Sequence, residues 1–282
     1  MPKLLTRLGD AWRRLPFTPD PKPKVHVVRL AGVISSDARP GRGMSARDAA
    51  KPIAKAFAGK PRAVVVAVNS PGGAPAQARM IHDHVRALAV KHELPVLSYI
   101  EDVGASGGYM IALSGDEVLA DPFAIVGSIG VIAAGFGFQD ALAKIGVERR
   151  VHTAGTNKSQ LDPFKPEEPG DVARLEDLLS KSHTLFGAMV RDRRGDRLKE
   201  DEDLFDGRFW LAGDALDLGL IDGIGDLPTI LRDRYGRDVR IRTFAQKEGG
   251  LLSRLVPGLL AGAADEALSR AEARAVWARF GL

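Results

Sequence analysis

The stretch Leu94-Pro95-Val96-Leu97-Ser98-Tyr99-Ile100-Glu101-Asp102-Val103-Gly104-Ala105-Ser106-Gly107-Gly108-Tyr109 reads as an apolar strand running into a turn of small residues with one hydroxyl at its apex. Gly104 and Gly108 stand two residues either side of Ser106, so the chain can turn sharply from strand into helix and leave the hydroxyl clear. In that geometry the Gly107 amide can point at the oxygen of a carbonyl under attack. This is how a serine nucleophile is presented. A second glycine turn, Asn69-Ser70-Pro71-Gly72-Gly73, lies one strand-helix unit upstream and is placed to supply the other oxyanion donor.

Outward from this segment, strand and helix patterns alternate. Upstream, residues 25–34 read as a buried strand, 46–58 as a helix, 63–68 as a strand and 76–90 as a helix. Downstream, residues 109–113 read as a short helix, 117–120 and 129–133 as short strands, 138–145 as a helix and 147–152 as a strand. Residues 166–193 read as one long amphipathic helix, followed by helices around 199–205 and 213–218 and a strand over 239–244. The alternation predicts an α/β domain with largely parallel strands, in which sites form at the carboxyl ends of strands. Both glycine turns fall at such ends. The expected organisation is a basic amphipathic segment and Pro-rich linker over 1–24, a catalytic domain over 25–245, and an amphipathic helical tail over 246–282.

The 282 residues are 45% hydrophobic, enough for a real core, and include no cysteine. Disulfides, thiolate zinc sites and cysteine nucleophiles are thereby excluded. The formal charge is +4, but basic and acidic residues alternate along most of the chain, as in Arg191-Asp192-Arg193-Arg194-Gly195-Asp196-Arg197. That pattern describes a solvated surface, and no nucleic-acid recognition motif accompanies it. The exception is residues 1–30, with seven Lys or Arg against Asp10 and Asp20. There Leu4, Leu5, Leu8, Trp12 and Leu15 recur at helical spacing, as in a short interfacial helix over residues 3–15. Arg7, Asp10, Arg13 and Arg14 interrupt any secretory signal or spanning helix there. The segment reads equally well as an arm packed on its own domain or on a neighbouring subunit, and as a contact with a membrane surface.

Ser106 needs a base, since an alcohol at neutral pH is a poor nucleophile until its proton is taken. No histidine lies between His92 and His152, and His82, His84 and His92 fall on one helix where they are expected at the surface. A lysine can serve if desolvation brings its pKa from about 10.4 down towards 7 or 8. Lys158, in Thr153-Ala154-Gly155-Thr156-Asn157-Lys158-Ser159, follows an expected strand, although a loop lysine is as a rule solvated.

Taken in order, Asn69-Ser70-Pro71-Gly72-Gly73, Gly104-Ala105-Ser106-Gly107-Gly108-Tyr109, Gly127-Ser128-Ile129-Gly130-Val131 and Ala154-Gly155-Thr156-Asn157-Lys158 resemble the signal peptide peptidase A family, the S49 serine peptidases. The resemblance spans about residues 25–245. It implies Ser106 as nucleophile, Lys158 as general base, Ser128 as the residue that holds the lysine amine, and Gly107 with Gly72 or Gly73 as the oxyanion hole. It further implies the fold of the Clp protease and crotonases, a spiral of strand-strand-helix units with an appended helical region. Single-copy members form homo-oligomeric rings whose serine and lysine come from adjacent protomers, and this chain has the single-copy length. The implied substrates are hydrophobic peptides such as cleaved signal peptides. No cofactor or metal is called for, and the chain carries no Walker loop or zinc signature.

Many members of that family carry a spanning anchor where this chain has its basic segment. The expectation is therefore a bacterial cytoplasmic enzyme, peripheral on the inner membrane through residues 3–15. Three other readings are open to the same residues: an α/β-hydrolase esterase using His152 or His183, a crotonase-type acyl-CoA enzyme that does not need Ser106, and a membrane scaffold with an idle site.

Overall fold

Runs of β-branched residues build the centre of the molecule. In the computed structural model, which describes residues 22–36, 43–199, 203–245, 271 and 273–282, Ala63–Ser70 forms strand β2 and is buried along its whole length. It lies between two parallel neighbours, β1 (Lys24–Ala31) and β3 (Val96–Ala105). A strand covered on both faces reads as a continuous apolar run, and Ala63-Val64-Val65-Val66-Ala67-Val68 is one.

The helices α1 (Ala46–Phe57) and α2 (Pro75–His92) cover one face of these strands. There Val28, Leu30, Val64, Val66 and Val68 pack with Ile53, Phe57, Ile81 and Val85. On the other face Val25, Val27, Val65 and Tyr99 pack with Leu231 of α7 (Leu227–Tyr235). Ser45 caps α1, its Oγ accepting from the Asp48 N–H at 3.2 Å and so satisfying one of the open donors of the first turn.

Strand β3 leads directly into α3 (Gly107–Ala112), which is buried throughout. Two short strands, β4 (Glu117–Ala120) and β5 (Ile125–Gly127), then pair with successive parts of β3. After the exposed α4 (Gln139–Lys144) and the long α5 (Pro169–Arg194) come β6 (Phe209–Leu211), α6 (Ala212–Asp217), β7 (Gly223–Ile224), α7 and β8 (Arg240–Ala245). The described strands form one sheet in the order β6-β5-β3-β2-β1-β8, with β4 beside β3 and β7 beside β4. All pairs are parallel except β5 with β6. Among the described residues no helix is long and apolar enough to cross a membrane.

One ion pair ties α5 to this sheet. Arg194 is 2% exposed and donates to both Asp222 oxygens at 2.7 and 2.9 Å, while Asp222 also accepts from the Val118 N–H at 2.7 Å. Burial alone raises the Asp222 carboxyl, but these hydrogen bonds and the guanidinium charge hold it below its ordinary value.

The strand expected over 129–133 is displaced to Ile125–Gly127, and 129–133 has no ladder. The chain beside β3 is fixed by the pairing Val103↔Ile125, Gly104↔Val126 and Ala105↔Gly127, and the left-handed backbone at Ser128 ends it there. Residues 147–152 also form no strand: among the described residues no strand runs alongside to pair with them. Of the helix expected over 199–205, residues 199 and 203–205 are not helical and 200–202 lie outside the described residues.

His82 is buried rather than at the surface, on the α2 face shared by Ala78, Val85 and Ala89. Desolvation lowers its pKa, against the opposing pull of Asp83. The expected interfacial helix over 3–15 lies outside the described residues, as do residues 246–270 of the expected tail. At the end of that tail, residues 273–278 are helical, and Trp277 and Phe280 pack on Val103, Ala105 and Ile125.

Candidate active site

The sheet register brings two hydroxyls together. Ala105 and Gly127 are partners at the carboxyl ends of β3 and β5, so Ser106 and Ser128 each stand one residue beyond an aligned pair. Both have φ of +51°, a conformation rarely adopted by residues other than glycine. Hydrogen bonds fix each of them: Ser106 N–H donates to Gly127 O at 2.8 Å, Met110 N–H to Ser106 O at 3.0 Å, and Ser128 N–H to Arg208 O at 2.7 Å. Strain held in place by its surroundings is characteristic of sites where a side chain must be aimed.

The glycine turn after β2 meets this elbow. A Cβ on Gly72 would lie 2.8 Å from Ser106 Cβ and 2.9 Å from Gly107 N, so only glycine lets the two loops approach so closely. The Gly72 N–H donates to Ser70 Oγ at 3.2 Å, and Ser70 Oγ donates in turn to Gly32 O at 2.7 Å. Asn69 Nδ2 donates to Asp102, joining the ends of β2 and β3. Gly73, unlike Gly72, lines the cavity in front of Ser106 and has φ of +136°. Among the described residues the amides of Gly73 and Gly107 have no hydrogen-bond acceptor.

Ser106, Ser128, Gly73 and Gly107 open onto a cavity of about 740 Å³. Met110, Val131, Ile132, Phe186 and Met189 give it an apolar lining, and Arg79, Asp206 and Arg279 stand among the polar groups. Arg79 is held by Asp83 at 2.8 and 3.0 Å. Asp206 is kept below the ordinary carboxyl range, first by the Arg208 N–H it accepts from. Val276 and Arg279, from the C-terminal residues expected to form a separate tail, are part of this wall, and nothing in the local sequence pattern signals that.

Lys158 is elsewhere. It is exposed and does not line the cavity. It belongs to the segment between β5 and α5, which folds largely on itself. Phe138 N–H donates to Pro163 O at 2.6 Å, the Phe138 and Phe164 rings lie 5.6 Å apart, and Arg149 stands 4.5 Å over Phe164. Helix α4 buries none of its residues, and Ile132, Phe136 and Ile145 are 70–79% exposed. The single chain therefore brings together Ser106, Ser128, Gly107, Gly72 and Gly73, and leaves Lys158 apart from them.

Residues 89–234 match the profile of Peptidase family S49. The chain belongs to peptidase family S49. A relative from Brucella abortus named Na(+)/H(+) antiporter NhaA is 48% identical over 273 residues, covering 92% of this chain and 37% of the relative. The chain thus spans little more than a third of that relative's length. The serine protease SPPA, chloroplastic, of Arabidopsis thaliana is 30% identical over 172 residues, 60% of this chain and 25% of that protein. Among solved structures, a serine-to-alanine mutant of the 1510-N membrane-bound stomatin-specific protease superposes with a TM-score of 0.51 at 17% identity, over 80% of this chain and 99% of that one. At that identity the likeness concerns the fold alone.

Proposed function

We propose that this chain is a serine endopeptidase acting by a Ser-Lys dyad on hydrophobic peptides. The observation that carries the proposal is the elbow itself: Ser106, held at φ of +51°, faces an apolar cavity beside the unclaimed amides of Gly107 and Gly73. Ser106 Oγ attacks a peptide carbonyl, and the two amides stabilise the developing oxyanion. Gly72 acts as the spacer that lets the loops meet, so Gly73 is the second donor. Lys158 takes the serine proton and passes it to the leaving amine; water then releases the acyl enzyme by the same route. Ser128, beside Ser106 in register, positions the lysine amine.

The exposure of Lys158 favours an assembly in which the projecting segment of one protomer reaches the elbow of the next. A homo-oligomeric ring satisfies this, and it also covers apolar side chains that the single chain leaves in water. Membrane-surface contact through residues 3–15 belongs to the same proposal; deleting them is expected to move the protein from the membrane to the soluble fraction, and an unchanged partition rejects the contact.

The test is cleavage of fluorogenic apolar peptides. Ser106→Ala and Lys158→Ala are each expected to abolish turnover with the fold intact, and chelators to leave it unchanged. Full turnover in Ser106→Ala rejects the peptidase reading.

A further inference from the structure

A second concavity lies at the amino end of the sheet, away from Ser106. Strands β1 and β8 run parallel with Lys24↔Arg240, His26↔Arg242 and Val28↔Phe244 as partners, so these side chains share one face. It is the face that α1 covers, since Val28 packs there with Ile53 and Phe57. Beyond the end of β8 no described strand continues the sheet, and the last turn of α1 forms the opposite wall. The result is a cavity of about 680 Å³ lined by Lys24, His26, Lys55, Arg240, Arg242 and Phe244, among others. The His26 and Phe244 rings meet edge-on at 5.2 Å, and the Arg242 guanidinium stands 4.9 Å over Phe244.

Its charge sets this cavity apart. Four of its lining residues are cations, and none is a carboxylate. Elsewhere on the described surface arginines are commonly paired, as in Arg29 with Glu101, Arg86 with Asp116 and Arg234 with Glu117. Among the described residues Lys24, Lys55, Arg240 and Arg242 form no ion pair. Like charges gathered around one concavity repel one another and focus their field on whatever enters. An anion relieves that repulsion, and two guanidinium forks with two ammonium groups suit a multiply charged oxyanion better than a single carboxylate.

We propose that this concavity binds a phosphate-bearing anion of more than one negative charge. Either a free polyphosphate compound or a phospholipid headgroup with two phosphates, as in cardiolipin, presents that chemistry. The site is independent of the peptidase reading, since none of its residues touches the Ser106 cavity.

The experiment uses the full chain and two probes: inorganic tripolyphosphate by calorimetry, and flotation with vesicles of phosphatidylcholine containing cardiolipin, whose headgroup carries two phosphates, against phosphatidylcholine alone. Arg240→Gln/Arg242→Gln on β8 and, separately, Lys55→Gln on α1 remove charge from two different elements, so a folding failure in one does not spoil the other. Lys91→Gln/Arg232→Gln serves as the charge-matched control. Binding of at least one probe, weakened at least about tenfold in the cavity variants and unchanged in the control, is expected, with binding falling as salt rises. Tripolyphosphate binding with that pattern assigns the free anion, and cardiolipin binding with it assigns the headgroup. The proposal is overturned if neither probe binds, if the control loses as much as the cavity variants, or if a polyglutamate peptide binds more tightly than tripolyphosphate.

Discussion

Ser106 and Lys158 sit in regions built in opposite ways. The elbow around Ser106 is enclosed by its own chain: Val103, Gly104, Ala105 and Gly107 are buried, and residues 103–105 are paired in register with β5. The segment carrying Lys158 buries almost nothing, and its Ile132, Phe136 and Ile145 face water. The carboxyl end of the sheet finishes the proposed nucleophile and oxyanion hole by itself. A projecting segment that folds on its own few contacts cannot desolvate an amine, so the base in the proposed mechanism depends on what a second chain supplies.

The sharpest way to break this contrast is at the elbow. Ser106→Ala is expected to lower peptide cleavage by about four orders of magnitude or more while far-ultraviolet dichroism and the thermal midpoint stay put. Activity that survives would show that the finished half is not the working half. Gly72→Ala inserts a methyl against Ser106 and Gly107 at a φ of +102° and is expected to cost about 1–3 kcal/mol of stability. With the amides displaced, turnover should fall about a hundredfold. A Gly72→Ala protein of unchanged stability and rate would mean that the two loops are not in register.

Away from the elbow, the sheet half rests on the buried Arg194–Asp222 pair. Removing one partner, as in Asp222→Ala, leaves a buried cation and is expected to cost about 3–5 kcal/mol in a urea unfolding curve. The Asp222 pKa is depressed in the folded protein. Its contribution is therefore present above the unfolded carboxyl value and lost as pH falls through the lower folded one. Wild type should lose more stability than Asp222→Ala across that acid window, and parallel pH profiles would remove the pair from the account. The smallest expected effect is in the projecting segment: Phe136→Ser/Ile145→Ser should change single-chain stability by no more than about 0.5 kcal/mol. Analytical ultracentrifugation should instead show weaker assembly, whereas an unaltered sedimentation profile would separate these residues from any interface.

Much of the elbow was legible because its signals are local. The apolar run before Gly104, the small residues around Ser106 and the glycine turn at Gly72 each dictate backbone shape without help from distant residues. The position of β5 was not legible, since Ile125–Gly127 and residues 129–133 are similarly apolar and only the pairing with β3 chooses between them. The strand β6 was missed for the same reason: Phe209–Leu211 acquires its identity from antiparallel pairing with β5, some eighty residues earlier. His82 was misjudged although its spacing with Ala78, Val85 and Ala89 marks the buried face of α2. The packing of Trp277 and Phe280 beneath the site follows from tertiary contacts alone. Lys158 had only its place after an expected strand as a physical signal, and its role as base comes through resemblance.

The most direct measurement is complementation between two inactive proteins. Ser106→Ala and Lys158→Ala chains are co-expressed, the mixed assembly is isolated, and peptide cleavage is compared with a wild-type assembly. If neighbouring protomers share each site, about one site in four regains both groups and activity returns to a comparable fraction. An intact mixed assembly with no activity, when wild type mixed with either variant remains active, would contradict the account.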